Sequence, residues 1–397
     1  MNPNIIRAAA AAIAPEIIAL RRHLHAHPEL SYQEVETGKF ISRTLTGWGI
    51  DHETGWAENG IVVHIKGKLP GDKVFALRGD IDALPIQEEN EVSYKSKRDG
   101  VMHACGHDVH TSCLLGAVRI LHEQRASFGG TIRAIFQPAE ELAPGGASIL
   151  IEEGVLKNPE PAGIIGQHVH PPLEAGKVGM RPGIYMASTD ELFLTVRGRG
   201  GHGALPQTTV DPIVLSAQLI TALQTIISRN ADPTTPTVLT FGSIQSKGGT
   251  NNVIPDEVQL KGTFRAMNEV WRSEAKTRMK KLVSGLAESM GGTAELYIKD
   301  GYPFLQNDEQ LTARVRQLAV EYLGAENVVD LPIRMTGEDF AYYSHQIPGC
   351  FYRLGIRNEA RGITHGLHTS RFDVDESAIE VGVGMMAWLG VSALLEE

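Results

Sequence analysis

A chain of 397 residues is too long for one ordinary hydrophobic core and points to about two domains. Its 37 basic and 47 acidic residues leave a net charge of −10, and 42% hydrophobic with 21% charged residues is an ordinary globular composition. That balance argues against a nucleic-acid surface, and three cysteines (Cys105, Cys113, Cys350) make no disulfide framework and suit a reducing, cytoplasmic setting.

The chain opens with an Ala/Ile-rich run at 8–20, broken by Glu16 and followed by Arg21-Arg22. Those basic residues lie on the wrong side for a secretory signal, and no apolar span of 18 residues is apparent, so no membrane segment is expected. The run reads as an amphipathic opening helix. His23, His25 and His27 alternate on it, which spreads them round a helix axis and makes them structural.

Residues 60–180 alternate strand-like runs (61–66, 74–78, 131–136, 163–167) with helix-like runs (110–124, 146–153). Alternation of this kind predicts an α/β sheet covered by helices on both faces. Chemically capable residues follow the strands: Asp80 and Asp82 after the second, Glu140 and Glu141 after the third, His168 and His170 after the fourth. In open α/β sheets ligands collect at the carboxyl ends of strands, so these separate segments can converge.

Residues 184–300 differ. A strand at 191–196 leads through Asp211-Pro212, an N-cap and first-turn pair, to a helix with an apolar stripe of Leu215, Leu219, Leu223, Ile226 and Ile227. Strands at 238–244 and 258–264, a helix at 270–288 ended by Gly291-Gly292, and a strand at 294–298 follow. The order β-α-β-β-α-β is the ferredoxin-like unit, inserted here into the first domain. Pro182-Gly183 and Gly301-Tyr302-Pro303 serve as hinges. The expected division is 1–183 with 301–397 as one domain and 184–300 as a domain inserted into it.

The densest chemistry lies in His103-Ala104-Cys105-Gly106-His107-Asp108. Cys105 and His107 are two apart, so an extended stretch would aim both at one face, a donor pair suited to zinc and its first-row neighbours. The other reading is a buried cysteine beside core histidines. In Glu140-Glu141 one carboxylate can ligate a metal while its neighbour acts as general base, or both can be a solvated acidic loop. His168 and His170 can each be a ligand or a histidine bonded to backbone. His365 and His368 can close a metal site only if the chain folds back onto its first half. Asp80 and Asp82 can ligate a metal or hold a ligating imidazole. Gly198-Arg199-Gly200-Gly201-His202-Gly203 matches G-x-G-x-x-G but lacks the following helix and ribose-binding acid, so it reads as a turn presenting His202.

Taken in order, these segments resemble the aminoacylase and hippurate hydrolase branch of the di-metal metallopeptidase family that includes carboxypeptidase G. The shared motifs run R-H-L-H-A-H-P-E at 22–29, R-G-D-I-D-A-L-P at 78–85, H-A-C-G-H-D at 103–108, Q-P-A-E-E at 137–141, H-V-H-P at 168–171, G-G-H-G-A-L-P at 200–206, N-V-I-P at 252–255, G-E-D-F at 337–340 and L-H-T at 367–369. The resemblance implies a metallopeptidase-like α/β catalytic, metal-binding domain (1–183 and 301–397) with an inserted ferredoxin-like lid or dimerisation domain (184–300), and two divalent metal ions per subunit (Zn, Mn, Ni or Co), held by Cys105, His107, Glu141, His168 and His368. It implies Glu140 as the base, His202 as the residue reaching the scissile carbonyl, in the partner subunit of a homodimer formed through the inserted domain, and Asn252 and Arg265 as holders of a substrate carboxylate. The wider family has a ligating His where Asp80 stands here; in this branch Cys105 takes over ligation, which places Asp80 with Asp82 behind the ligands and leaves its own role, and the group that bridges the metals, open. The activity implied is amide hydrolysis of N-acyl-L-amino acids of the hippurate or N-acetyl type, with a metallo-carboxypeptidase or dipeptidase as the alternative, and with neither nucleic acid nor membrane as a partner.

Overall fold

The computed structural model describes residues 2–248 and 250–395. They fold into two compact units. The first runs up to Tyr185 and resumes over Gln306–Pro332 and from Asp339 onwards; the second comprises Met186–Leu305 and Ile333–Glu338.

The first unit is built on an eight-stranded sheet. Its order is His52–Trp56, Gly60–Lys66, Gly129–Gln137, Leu69–Asp80, Ile164–Glu174, Gly349–Arg357, Val178–Met180 and Val328–Asp330. The four central strands, Gly129–Gln137 to Gly349–Arg357, are mutually parallel. Their inner residues are buried on both faces, as a parallel sheet requires. Leu77 packs towards Gly390 of the helix Ser377–Leu394, whereas the next residue, Arg78, bonds to Asp339 from the opposite face. The helices Pro3–Ala26, His107–Glu123 and Ser377–Leu394 pack together through Ile6, Ala10, Ile17, Leu114, Val118, Val383 and Met386. Gly116 and Gly382 allow the close approach: a Cβ would come within 2.7 Å of Val383 at the first and 2.6 Å of Cys113 at the second.

Among the described residues two helices are apolar enough to cross a membrane by length and composition, Pro3–Ala26 and Ser377–Leu394, which corrects the expectation of no such span. Composition alone misleads for the second. Its mean hydropathy of 1.5 reflects burial on almost every side, with 78% of the segment inside the unit. The first has the expected amphipathic pattern, burying Ile6, Ala10, Ile13, Ile17 and Leu24.

The second unit has a four-stranded antiparallel sheet in the order Thr237–Ser246, Glu257–Ala266, Asp190–Arg197, Thr293–Asp300. With the helices Pro212–Asn230 and Glu269–Ser289 it is the ferredoxin-like β-α-β-β-α-β arrangement. Asp211 caps the first helix through the amides of Ile213 and Val214, and Asn268 caps the second through Trp271. Leu215, Leu219, Leu223 and Ile226 of the anticipated stripe pack on Leu192, Leu194, Phe264 and Met279, while Ile227 is only partly buried. Residues 333–338, assigned from sequence to the outer segment, lie within this unit because Ala187 donates to the carbonyls of Arg334 and Thr336.

Within the first unit, Arg21 is fully buried, with its Nε 2.7 Å from Asp108 Oδ2 and its guanidinium over the Tyr94 ring. His25 bonds to the same Asp108 oxygen at 2.8 Å and to Glu88 at 3.2 Å. Removing one member of such a pair leaves a buried charge without its partner. Arg21→Met is therefore expected to lower stability by about 3–5 kcal/mol in urea unfolding. A loss below about 1 kcal/mol would mean that His25 alone neutralises Asp108.

Candidate metal centre

The site is assembled in the first unit at the carboxyl ends of its parallel strands. Asp80 ends the strand Leu69–Asp80, Asp82 follows it, Glu140 and Glu141 follow the strand Gly129–Gln137, and His168 lies within Ile164–Glu174. Cys105 and His107 arrive together for a reason other than strand alternation. Gly106 adopts φ 83° and turns the chain into a helix that starts at His107. A Cβ at Gly106 would meet Val169 at 2.5 Å, so no side chain fits this left-handed turn. Ala139 and His368 are also left-handed, at φ 54° and 60°, rare for residues with a side chain and typical of functional turns.

Cys105 Sγ lies 3.4 Å from His168 Nε2 and 3.4 Å from His368 Nε2. His368 Nε2 is 3.2 Å from Glu141 Oε1, and His107 Nε2 is 3.9 Å from both Glu141 Oε1 and Glu140 Oε2. The donors fall into overlapping groups able to hold an ion: Cys105–His107–His168, Cys105–Glu141–His368 and His107–Glu140–Glu141. One thiol, three imidazoles and a carboxylate form a mixed S/N/O set that suits Zn²⁺ and its neighbours.

The ring tautomers are prepared for this. His107 Nδ1 donates to Asp82 Oδ1 at 3.1 Å, and His168 Nδ1 donates to the Val169 carbonyl at 2.7 Å. With Nδ1 spent in this way, each ring turns its Nε2 towards the cluster, the usual arrangement behind ligating histidines. His107 Nε2 is buried and has no hydrogen-bond partner. A buried polar atom without a partner needs an explanation, and a bound cation supplies one.

Electrostatics agree. Burial disfavours a charged His107, yet Asp80 and Asp82 outweigh it and raise its pKa to about 10. Burial and the carboxylates of Glu141 and Glu140 push the Cys105 thiol well above its ordinary range. The pocket thus holds an excess of acidic groups that lacks positive charge, and a metal must displace protons from Cys105 and His107 on entering.

Asp80 stands beside this cluster, 3.8 Å from His107 Nε2, but its oxygens are committed to Arg78 and to His110 Nδ1, the latter at 2.6 Å. His110 Nε2 accepts from the Val169 amide at 2.8 Å, so its proton sits on Nδ1 and both nitrogens are used. His170 and His365 do not join the donor groups formed among the described residues; His170 is buried and His365 is exposed. His103 is buried behind the site with neither ring nitrogen partnered, and Asp108 turns away to Arg21.

Three further expected residues belong to the second unit. His202 is exposed in the short strand Gly201–His202 and is paired in register with Val253; Asn252, beside Val253, accepts from Gly203 through its backbone carbonyl at 2.7 Å. Arg265 is half-buried on Glu257–Ala266, with Nε donating to Thr263 Oγ1 at 3.1 Å.

Several supports were not singled out from sequence. Ser31 donates to Asp82 Oδ2 at 2.6 Å, Arg78 and Gln137 both bind Asp339 Oδ1, and the Asp339 amide lies 3.4 Å from Glu140 Oε1. Arg78, Gln137 and Asp339 were signalled only by their position inside longer motifs, R-G-D-I-D, Q-P-A-E-E and G-E-D-F, and Ser31 by none.

The family model for peptidase family M20/M25/M40 matches residues 76–389, most of the chain. The chain belongs to that family. Membership in M20 makes it a hydrolase that acts on amide bonds. It is 43% identical over 298 residues to the N-acyl-L-amino acid amidohydrolase of Geobacillus stearothermophilus, covering 75% of this chain and 80% of the relative. It is 39% identical over 378 residues to thermostable carboxypeptidase 2 of Saccharolobus solfataricus, covering 94% of each. The crystal structure of the Bacillus subtilis YxeP protein, described as a dinuclear metal binding peptidase from the M20 family, superposes with a TM-score of 0.81 at 35% identity, covering 97% of this chain and 99% of that one.

Asp82 tests the metal reading without assaying turnover. Removing the partner of a ligating imidazole typically weakens metal binding 10–100-fold, so Asp82→Ala is expected to raise the dissociation constant for Zn²⁺ by about that factor in a competition titration. An unchanged constant would exclude His107 as a ligand.

Proposed function

We propose that the protein is a metal-dependent amidohydrolase that cleaves N-acyl-L-amino acids, of the hippurate and N-acetyl type, to a carboxylic acid and a free amino acid. The observation that carries this reading is the convergence of Cys105, His107, Glu141, His168 and His368 around an unpartnered His107 Nε2, with Glu140 beside them. The substrate class is supported by the name of the Geobacillus relative. Cys105, His107, Glu141, His168 and His368 would hold two divalent ions, zinc, manganese, nickel or cobalt. When bound, such a pair supplies Lewis acidity to a carbonyl oxygen and to a water.

Glu140 and Glu141 divide the work because their surroundings differ. The Glu141 amide is tied to Asp82 Oδ2 at 2.9 Å, and its carboxylate faces His368. The Glu140 carboxylate, nine-tenths buried, faces the Asp339 amide and His107. Glu140 takes a proton from the attacking water and returns it to the leaving amine, restoring its own carboxylate. His202 is assigned to the developing oxyanion, and Asn252 and Arg265 to the substrate carboxylate, for which a guanidinium offers a bidentate fork.

Homodimerisation through the inserted unit belongs to the same proposal. It is supported by the exposed apolar side chains Leu205, Ile213, Val214, Ile244 and Val253 on that unit. A cytoplasmic setting is supported by three free thiols. The second reading, a carboxypeptidase or dipeptidase using the same site, is favoured by the name of the Saccharolobus relative.

Amine release from a panel of N-acyl amino acids and dipeptides, run with Mn²⁺ or Zn²⁺ and again after chelation, separates the two. Metal-dependent release from the acyl amino acids is expected; release from dipeptides alone would replace this reading with the second. On the same substrate Glu140→Gln is expected to lower kcat by about 10²–10⁴-fold with metal content unchanged. Wild-type turnover in that variant would remove Glu140 from the chemistry.

A further inference from the structure

The segment between the helices Pro3–Ala26 and Val35–Gly47 wraps the loop that carries Glu140 and Glu141. Ser31 binds Asp82, and Tyr32 donates to the Leu142 carbonyl at 3.0 Å and accepts from the Gly145 amide at 3.2 Å. Glu34 is completely buried, and its role is not explained by packing. Its Oε1 accepts from the Ala139 amide at 2.8 Å and its Oε2 from the Asn59 side-chain amide at 3.2 Å.

Ala139 is the left-handed residue directly before Glu140. Its carbonyl accepts from the Gly146 amide at 2.9 Å, so both of its backbone groups are pinned, one by the loop's far end and one by Glu34. A β-carbon-bearing residue leaves this conformation unless its surroundings hold it. Relaxation of Ala139 would rotate both glutamates, since the turn sends the Glu140 carboxylate towards the Asp339 amide and the Glu141 amide towards Asp82.

We propose that Glu34 is a positioning residue for Glu140 and Glu141, its buried carboxylate gripping the Ala139 amide and so holding the left-handed turn on which their orientation depends. The proposal rests on Glu140 being the base. Glu34 touches neither substrate nor metal in this scheme and acts only through the backbone of Ala139.

The titratable groups facing Glu34 are Asp82, beyond the strand Leu69–Asp80, and the Tyr32 phenol on its own segment. Burial foremost, then Asp82, raises the Glu34 pKa from 4.5 to about 7, while the amides of Ala139 and Tyr32 pull the other way. A raised folded pKa means the fold favours the neutral carboxyl. That contribution to stability is complete below the ordinary value and is lost as pH rises through about 7.

Three proteins test this: the full chain and its variants Glu34→Ala and Glu34→Gln, each loaded with Mn²⁺ and also metal-free. Glu34→Ala should keep its bound manganese, retain KM, and lose kcat by about 10²-fold, the scale expected of a misplaced catalytic group. Glu34→Gln should recover most of that loss, because its amide oxygen still accepts from Ala139 while Asn59 turns its own oxygen to face the new NH₂ group. In the metal-free proteins, the wild-type melting temperature should fall relative to that of Glu34→Gln as pH rises through 7, the folded-state value near which Glu34 titrates. Wild-type kcat in Glu34→Ala overturns the proposal, as does kcat lost only in step with manganese, or a Glu34→Gln protein as impaired as Glu34→Ala. A wild type that releases amine from none of the panel would instead defeat the function proposed above.

Discussion

The carboxylate of Asp82 joins three segments that lie far apart in the chain. One oxygen accepts from His107 and the other from Ser31 and the Glu141 amide, and the residue is buried. A buried carboxylate is costly unless its oxygens are satisfied, and here the satisfying groups are the parts of the site itself. The same bonds that solvate Asp82 therefore set the His107 tautomer and the path of the Glu141 backbone. Displacing any one of them leaves part of a buried charge without solvation.

Around it the fold concentrates negative charge. Asp80, Asp82, Glu140, Glu141 and Cys105 lie about the imidazoles of His107, His110 and His168, all buried except the partly exposed Glu141. Arg78 neutralises Asp80, the uncharged His110 donates to it, and Arg78 also reaches Asp339. The Asp82 side is left short of positive charge, and His107 is driven to carry a proton there. A divalent cation answers this imbalance better than protons do, because it meets the thiol, the carboxylate and the imidazole lone pairs at once.

Much of the centre was legible in the residues. Glu140 and Glu141 after an apolar strand, and Cys105 close to His107, are local patterns whose chemistry does not depend on the rest of the chain. Cys105 and His107 come together by a left-handed Gly106 and a helix start, not by the strand alternation their spacing suggested. For His168 and His170 the local sequence is symmetric, and only the register of Ile164–Glu174 against its neighbours separates them. Ser31, Glu34 and Asp339 carried no signal of their own: each is a single polar residue whose partner lies 51, 105 or 199 positions away in the chain.

What the sequence determined by itself is the inventory and its order: an α/β pattern interrupted by a ferredoxin-like segment, and metal-capable side chains placed at strand ends. These follow from local periodicity and turn chemistry, which neighbouring residues settle among themselves. The tertiary structure decided which nitrogen of each histidine is free, that Asp80 is spent on Arg78 and His110, and that a buried Glu34 holds the turn before Glu140. Each of those depends on burial and on a partner brought in by the sheet, because a lone pair or a charge acquires its role only when water is removed and one specific group takes its place.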